Sequence, residues 1–101
     1  MPGRFAELID RQLDLFEQED AAFLARVEEA EREYDRAGRD EAEEVYGRFQ
    51  ELVEFGTEAL AEVRDNYAAT LDENAADKYA GEFNAAIRRR LPRFALEIED
   101  V

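Results

Sequence analysis

Five carboxylates, Glu51, Glu54, Glu58, Glu62 and Asp65, follow one another at spacings of three, four, four and three residues. On a helix those intervals put all five on one face, because residues three and four apart are surface neighbours. Clustered hard oxygens are what a divalent cation needs, so the row is a candidate for metal binding and metal-assisted hydrolysis. The same spacing also describes a solvated acidic face opposite a buried apolar one, and the flanking residues favour that reading.

Three other groups have chemistry to offer. Asp20 sits near the middle of an apolar stripe, one turn from Phe16 and from Phe23 and Leu24. An unpaired carboxylate buried there is costly, so Asp20 is a functional acid, a register-setting contact, or less buried than its position suggests. If it is buried, an arginine or tyrosine from another helix should lie within hydrogen-bond reach. Arg88, Arg89, Arg90 and Arg93 form a basic cluster that suits a helix C-terminus and the acids of a neighbouring helix or subunit. An anion or phosphate site is the sharper alternative for them. Finally, Leu15 and Phe55 fall on the flanks of the main apolar stripes and are the candidate partner contacts.

What is missing narrows the chemistry further. The chain has no cysteine and no histidine, which removes disulfides, thiolate nucleophiles, ordinary zinc sites and the usual proton shuttle near neutral pH. The 27 acids against 13 basic residues give a net charge of −14, which repels nucleic-acid phosphates and anionic membranes. Twelve of the basic residues are arginine and one, Lys78, is lysine, a bias that fits a GC-rich genome or a surface adapted to high salt. The first residues carry acids and no long apolar run, so neither a signal peptide nor a membrane anchor is expected, and a cytoplasmic location is.

Glu51-xx-Glu54 followed by Glu62-xx-Asp65 resembles, over about fifteen residues, the metal-binding carboxylates of the all-alpha nucleotide pyrophosphatases related to MazG. The resemblance implies a helix-rich dimer in which two acidic motifs, on different helices, face one metal pocket. In the present sequence both motifs fall on one predicted helix.

The elements that carry these residues follow from helical periodicity. Phe5, Leu8, Ile9, Leu13, Phe16, Phe23, Leu24, Val27, Ala30 and Tyr34 form a stripe roughly 160° wide, and Pro2 suits a helix start. The expected helix 1, about 3–36, is on the order of 50 Å long. Gly38 suits a left-handed helix end, and Asp40 a cap with Glu43 in capping-box position. Helix 2, about 40–71, carries Val45, Tyr46, Phe49, Leu52, Val53, Gly56, Leu60, Val63 and Tyr67 on one face. Gly56, at the centre of that face, leaves room for a close helix or an aromatic ring such as Phe16 or Phe23.

The stripe of Ala76, Tyr79, Ala80, Phe83 and Ile87 is out of phase with helix 2, which requires a break near Leu71 to Asn74 and a cap at Asp72 or Asn74. Helix 3 then runs about 74–91 and stops before Pro92, leaving a tail, 92–101, with a short helix. The whole predicts one all-α domain over 1–101, an elongated up-down-up three-helix bundle that pairs as a homodimer. Its expected role is a non-enzymatic interaction or assembly module with an acidic surface and no metal, cofactor, nucleic acid or membrane. The alternatives are a divalent-metal-dependent hydrolase with clustered carboxylates and an acidic, nucleic-acid-mimicking inhibitor of a basic partner.

Overall fold

In a computed structural model that describes residues 3–101, the chain is all-helical, with no strand among the described residues. The elements are α1 (Ala6–Glu19), α2 (Ala21–Arg36), α3 (Ala42–Ala68), α4 (Glu73–Arg90), a 3-10 turn (Pro92–Phe94) and α5 (Ala95–Ile98). The molecule measures 50 × 24 × 24 Å, elongated as the helix lengths require. No helix among the described residues is long and apolar enough to cross a membrane. The helix start expected at Pro2 lies outside the described residues.

The helix expected over 3–36 is two helices. Asp20, at φ −108° and ψ 23°, interrupts it, although its N–H still bonds Phe16 O and its C=O accepts from Leu24 N. The break leaves the Asp20 side chain half-buried, and no arginine or tyrosine bonds it among the described residues. A carboxylate in the stripe is thus accommodated by bending the backbone and not by a buried partner, which avoids the desolvation cost of a continuous helix.

The turn between α2 and α3 also differs from expectation. No glycine among the described residues has positive φ, so Gly38 does not close α2 in a left-handed conformation. Ala37 leaves the helix in extended geometry instead, and Gly38 O accepts from both Glu41 N and Ala42 N at 3.0 Å. The residue before α3 is Glu41, not Asp40, and its side chain makes no cap bond. Residues Glu43 and Glu44 in the first turn of α3 still favour its positive end.

The later boundaries follow local chemistry closely. Asp72 caps α4, its side chain accepting from Ala75 N at 2.9 Å. At the other end Leu91 is pushed to φ −135°, ψ 59° ahead of Pro92, which cannot continue the helix. The tail then coils back as the 3-10 turn and α5, the short helix expected there.

Four helices and the tail enclose one core. Ile9 and Leu13 of α1, Val27 of α2, Leu60 of α3, Tyr79, Phe83 and Ile87 of α4, and Phe94 and Ile98 of the tail are all essentially inaccessible. Gly56 provides the notch that admits the tail. A Cβ there would collide with the Phe94 ring and lie 3.1 Å from Phe23, so Phe94 is the main occupant and Phe23 the secondary one. Burying a phenyl side chain contributes roughly 1.5–3 kcal/mol, more than the ~1 kcal/mol that a mid-helix glycine costs.

Two polar devices fix the ends of α1. The N–H of Phe5, just before α1, donates to Glu82 Oε1 of α4 at 3.0 Å, which places a carboxylate at the positive end of α1. Arg90, at the end of α4, reaches Asp14 and Glu17 of α1 at 2.7 and 3.0 Å. Since residue 82 meets the start of α1 and residue 90 its later turns, the two helices lie side by side in the same direction.

Candidate functional site

The α2/α3 hairpin carries an open depression lined by Phe23, Arg26, Arg48, Glu51, Leu52 and Phe55. Its floor is the phenyl pair Phe23 and Phe55, ring centres 5.3 Å apart and tilted by 52°. Phe23 is half-buried against Gly56, whereas Phe55 leaves 64% of its surface in solvent. The position follows from helical phase: Phe55 precedes the notch residue Gly56 by one place, and so points about 100° away from the core direction.

Charge of both signs flanks this apolar floor. Toward the hairpin turn stand Arg26 and Arg48; Arg48 is held by Glu44 at 3.1 Å on the exposed surface, and Arg26 has no acidic partner among the described residues. Toward the other end of α3 stand Glu58 and Glu62, both exposed and outside every ion pair among the described residues. Glu51, between Arg48 and Phe55 along α3, also lines the depression, so its rim is mixed in sign, and Glu58 and Glu62 stand outside it.

Leu15, the other candidate contact, is 53% exposed on α1 and does not line the depression. The structure thus confirms the exposure of both residues without bringing them into one pocket. Leu96 of α5, at 90% exposure, and the tilted ring pair Tyr34 and Tyr46, centres 5.2 Å apart, are further exposed apolar groups. The two tyrosines lie on the predicted apolar stripes, yet they are 39% and 45% exposed because the tail does not extend over them.

The carboxylate row is carried on α3 alone. Glu51, Glu54, Glu58, Glu62 and Asp65 are all exposed, and no three acids among the described residues are placed to hold a metal ion. The two-helix convergence that the pyrophosphatase resemblance implies is not formed. One helix can offer two neighbouring carboxylates to a cation, but five spread from Glu51 to Asp65 cannot meet at one point.

The basic cluster ties the chain to itself. Arg88 pairs with Glu99, Arg90 with Asp14 and Glu17, and Arg93 with Glu31 at 2.9 Å. Burial disfavours the charge on Arg90, but Asp14 and Glu17 outweigh it and raise its pKa above the ordinary arginine value. Only Arg89 of the four lacks an acidic partner among the described residues. Three guanidiniums already committed to carboxylates leave little for a phosphate, and the cluster links α4 to the C-terminal residues through Arg88, α4 to α1 through Arg90, and the tail to α2 through Arg93.

Sequence reasoning passed over one further arginine. Arg64 of α3 is only 5% exposed, and its guanidinium donates to Asn84 Oδ1 at 3.0 Å, Ile98 O at 2.8 Å, Val101 O and Asp65 Oδ1. It ties the carbonyl ends of α5 to α3, with a cation at the negative end of that short helix. The available signal was its place at the edge of the α3 apolar face, seven residues after Thr57, which is also buried. Compared with family models, curated proteins and solved structures, the chain matches none.

Proposed function

We propose that the chain is a non-enzymatic helical interaction module, and that it docks a partner over the Phe23–Phe55 depression. In this reading the fold is an up-down-up bundle in which α1 and α2 act as one bent helix, α3 returns and α4 completes the third layer. The observation that carries the proposal is Phe55, 64% exposed beside the tilted ring of Phe23 in a depression rimmed by Arg26, Arg48 and Glu51. A cluster of that kind excludes water readily when covered and offers orientation through its charges. Leu15 is the second contact, outside the depression.

A photoreactive phenylalanine analogue placed at position 55 of the chain, expressed in its own cells, tests this. Covalent adducts are expected at position 55, and at lower yield at position 15. Absence of adducts at both positions overturns the docking reading.

A further inference from the structure

Gly56 is shared by two rings from distant parts of the chain. A Cβ at that position would lie 3.1 Å from the Phe23 ring of α2 and closer still to the Phe94 ring of the tail. Phe23 in turn meets Phe55, with ring centres 5.3 Å apart. The three rings form a path from the core to the surface: Phe94 is 1% exposed, Phe23 half-buried and Phe55 largely in solvent. Phe23 is the middle member, within reach of both the notch and Phe55.

The tail also grips the two helices that carry the depression, on either side of Phe94. Arg93 pairs with Glu31 of α2 at 2.9 Å, and Glu97 accepts from Gln50 of α3 at 2.8 Å. Arg64 fixes the end of the segment through Ile98 O at 2.8 Å. Docked, the tail is a brace across α2 and α3 whose central ring backs onto Phe23.

We infer that the tail controls the docking depression: Phe94, seated in the Gly56 notch, is the support that keeps the Phe23 ring against Phe55. The inference rests on the docking reading above and adds its regulation. Protein interiors are close-packed, and an emptied site costs least where a neighbour can collapse into it. With Phe94 withdrawn, that neighbour is Phe23. Val53 and Leu60, one turn to either side of Gly56, are already packed in the core. Phe23 is only half-buried, its ring stands at the mouth of the notch, and it belongs to the first turn of α2, directly after the Asp20 break.

Turning inward, Phe23 leaves Phe55, and the phenyl pair that floors the depression comes apart. Tail docking and an intact floor are therefore one linked equilibrium. A partner that covers the pair holds the tail down by the same factor as the docked tail favours the partner.

A fluorinated phenylalanine at position 55 of the full chain reads the floor without any partner, because the neighbouring Phe23 ring shifts its resonance. Phe23→Leu supplies the reference value for a floor that lacks that ring. Phe94→Leu is expected to move the resonance toward this reference. Arg93→Ala releases the clasp on α2 from outside the core, and is expected to give a smaller displacement in the same direction. Leu96→Ala, on the same tail but 90% exposed, is expected to leave the resonance where it was. In the Phe23→Leu background Phe94→Leu should add nothing, since the ring that transmits the effect is gone.

A resonance unmoved by both Phe94→Leu and Arg93→Ala overturns the inference. So does a displacement by Phe94→Leu that is as large without Phe23 as with it, since the effect would then be a general loosening. If the resonance responds as expected but position 55 yields no photoadduct, the docking reading falls and the link between tail and depression remains. If adducts form and the resonance does not respond, the present inference alone falls.

Discussion

The two ends of this molecule are built differently from similar residues. At the base, α1, α4, the tail and the second half of α3 surround Leu13, Leu60, Tyr79, Phe83, Ile87 and Ile98, none of which is measurably exposed. At the other end α2 and α3 form a two-helix arm whose buried residues near the turn, Ala30 and Val45, lie outside the main core cluster. The highest links between the tail and the arm are Arg93 to Glu31 and Gln50 to Glu97, the latter at 2.8 Å. Beyond them the apolar stripes continue, but among the described residues no third layer covers them. An apolar stripe is therefore a necessary condition for a core and not a sufficient one; a third element has to reach it.

The largest expected way to break the contrast is at Phe94, which fills the Gly56 notch. Phe94→Ala should destabilise the protein by about 3–5 kcal/mol in urea unfolding, because it empties a site in the core that Gly56 cannot refill. A loss below about 1 kcal/mol would show that the notch does not hold the tail.

Arg64→Met should cost about 2–3 kcal/mol, since it leaves the buried carbonyl of Ile98 without its donor. Hydrogen exchange separates this from a general loss. Protection should fall first in α4 and the tail, while amides around Val45 in the arm change little. Uniform loss at both ends would contradict the division.

The base also buries a titratable group, Tyr79. Burial pushes Tyr79 up to about 12, against the bond it donates to Gln12 at 2.8 Å. Its folded-state pKa lies above the unfolded one, so its contribution is complete below pH ~10 and declines as pH rises toward 12. Stability should fall by roughly 2 kcal/mol across that window, and Tyr79→Phe should flatten the slope in alkaline unfolding curves.

The smallest effect belongs to the arm. Tyr46→Ala removes an exposed ring in tilted contact with Tyr34 and should cost no more than about 1 kcal/mol by the same unfolding measurement. A loss as large as that of Phe94→Ala would mean that the arm shares the core of the base.

Much of the fold was legible in local residues. A cap at Asp72 or Asn74, the stop before Pro92, the short tail helix and the room at Gly56 for a close helix or a ring each depend on atoms within a few positions or on the helical period; that the cap is Asp72 and the ring Phe94 was not legible. The Asp20 break was legible only as an anomaly, because bending and burial with a partner are both local answers to an acid in an apolar stripe. Phe55 stood out by phase, while Phe23 and Arg26 joined it, Arg48, Glu51 and Leu52 around one depression only once α2 lay beside α3.

By itself, then, the sequence determined helical class, elongation, charge, the approximate boundaries of α3 and α4, and the chemistry that absent cysteine and histidine forbid. Those properties come from composition and from a period of 3.6 residues, which every stretch of chain carries within itself. Tertiary structure alone decided that Phe94 enters the notch, that Arg64 is buried under α5, and that Tyr34 and Tyr46 stay in solvent. Each of these depends on how far α4 and the tail reach along α3, a long-range length match that no local pattern encodes.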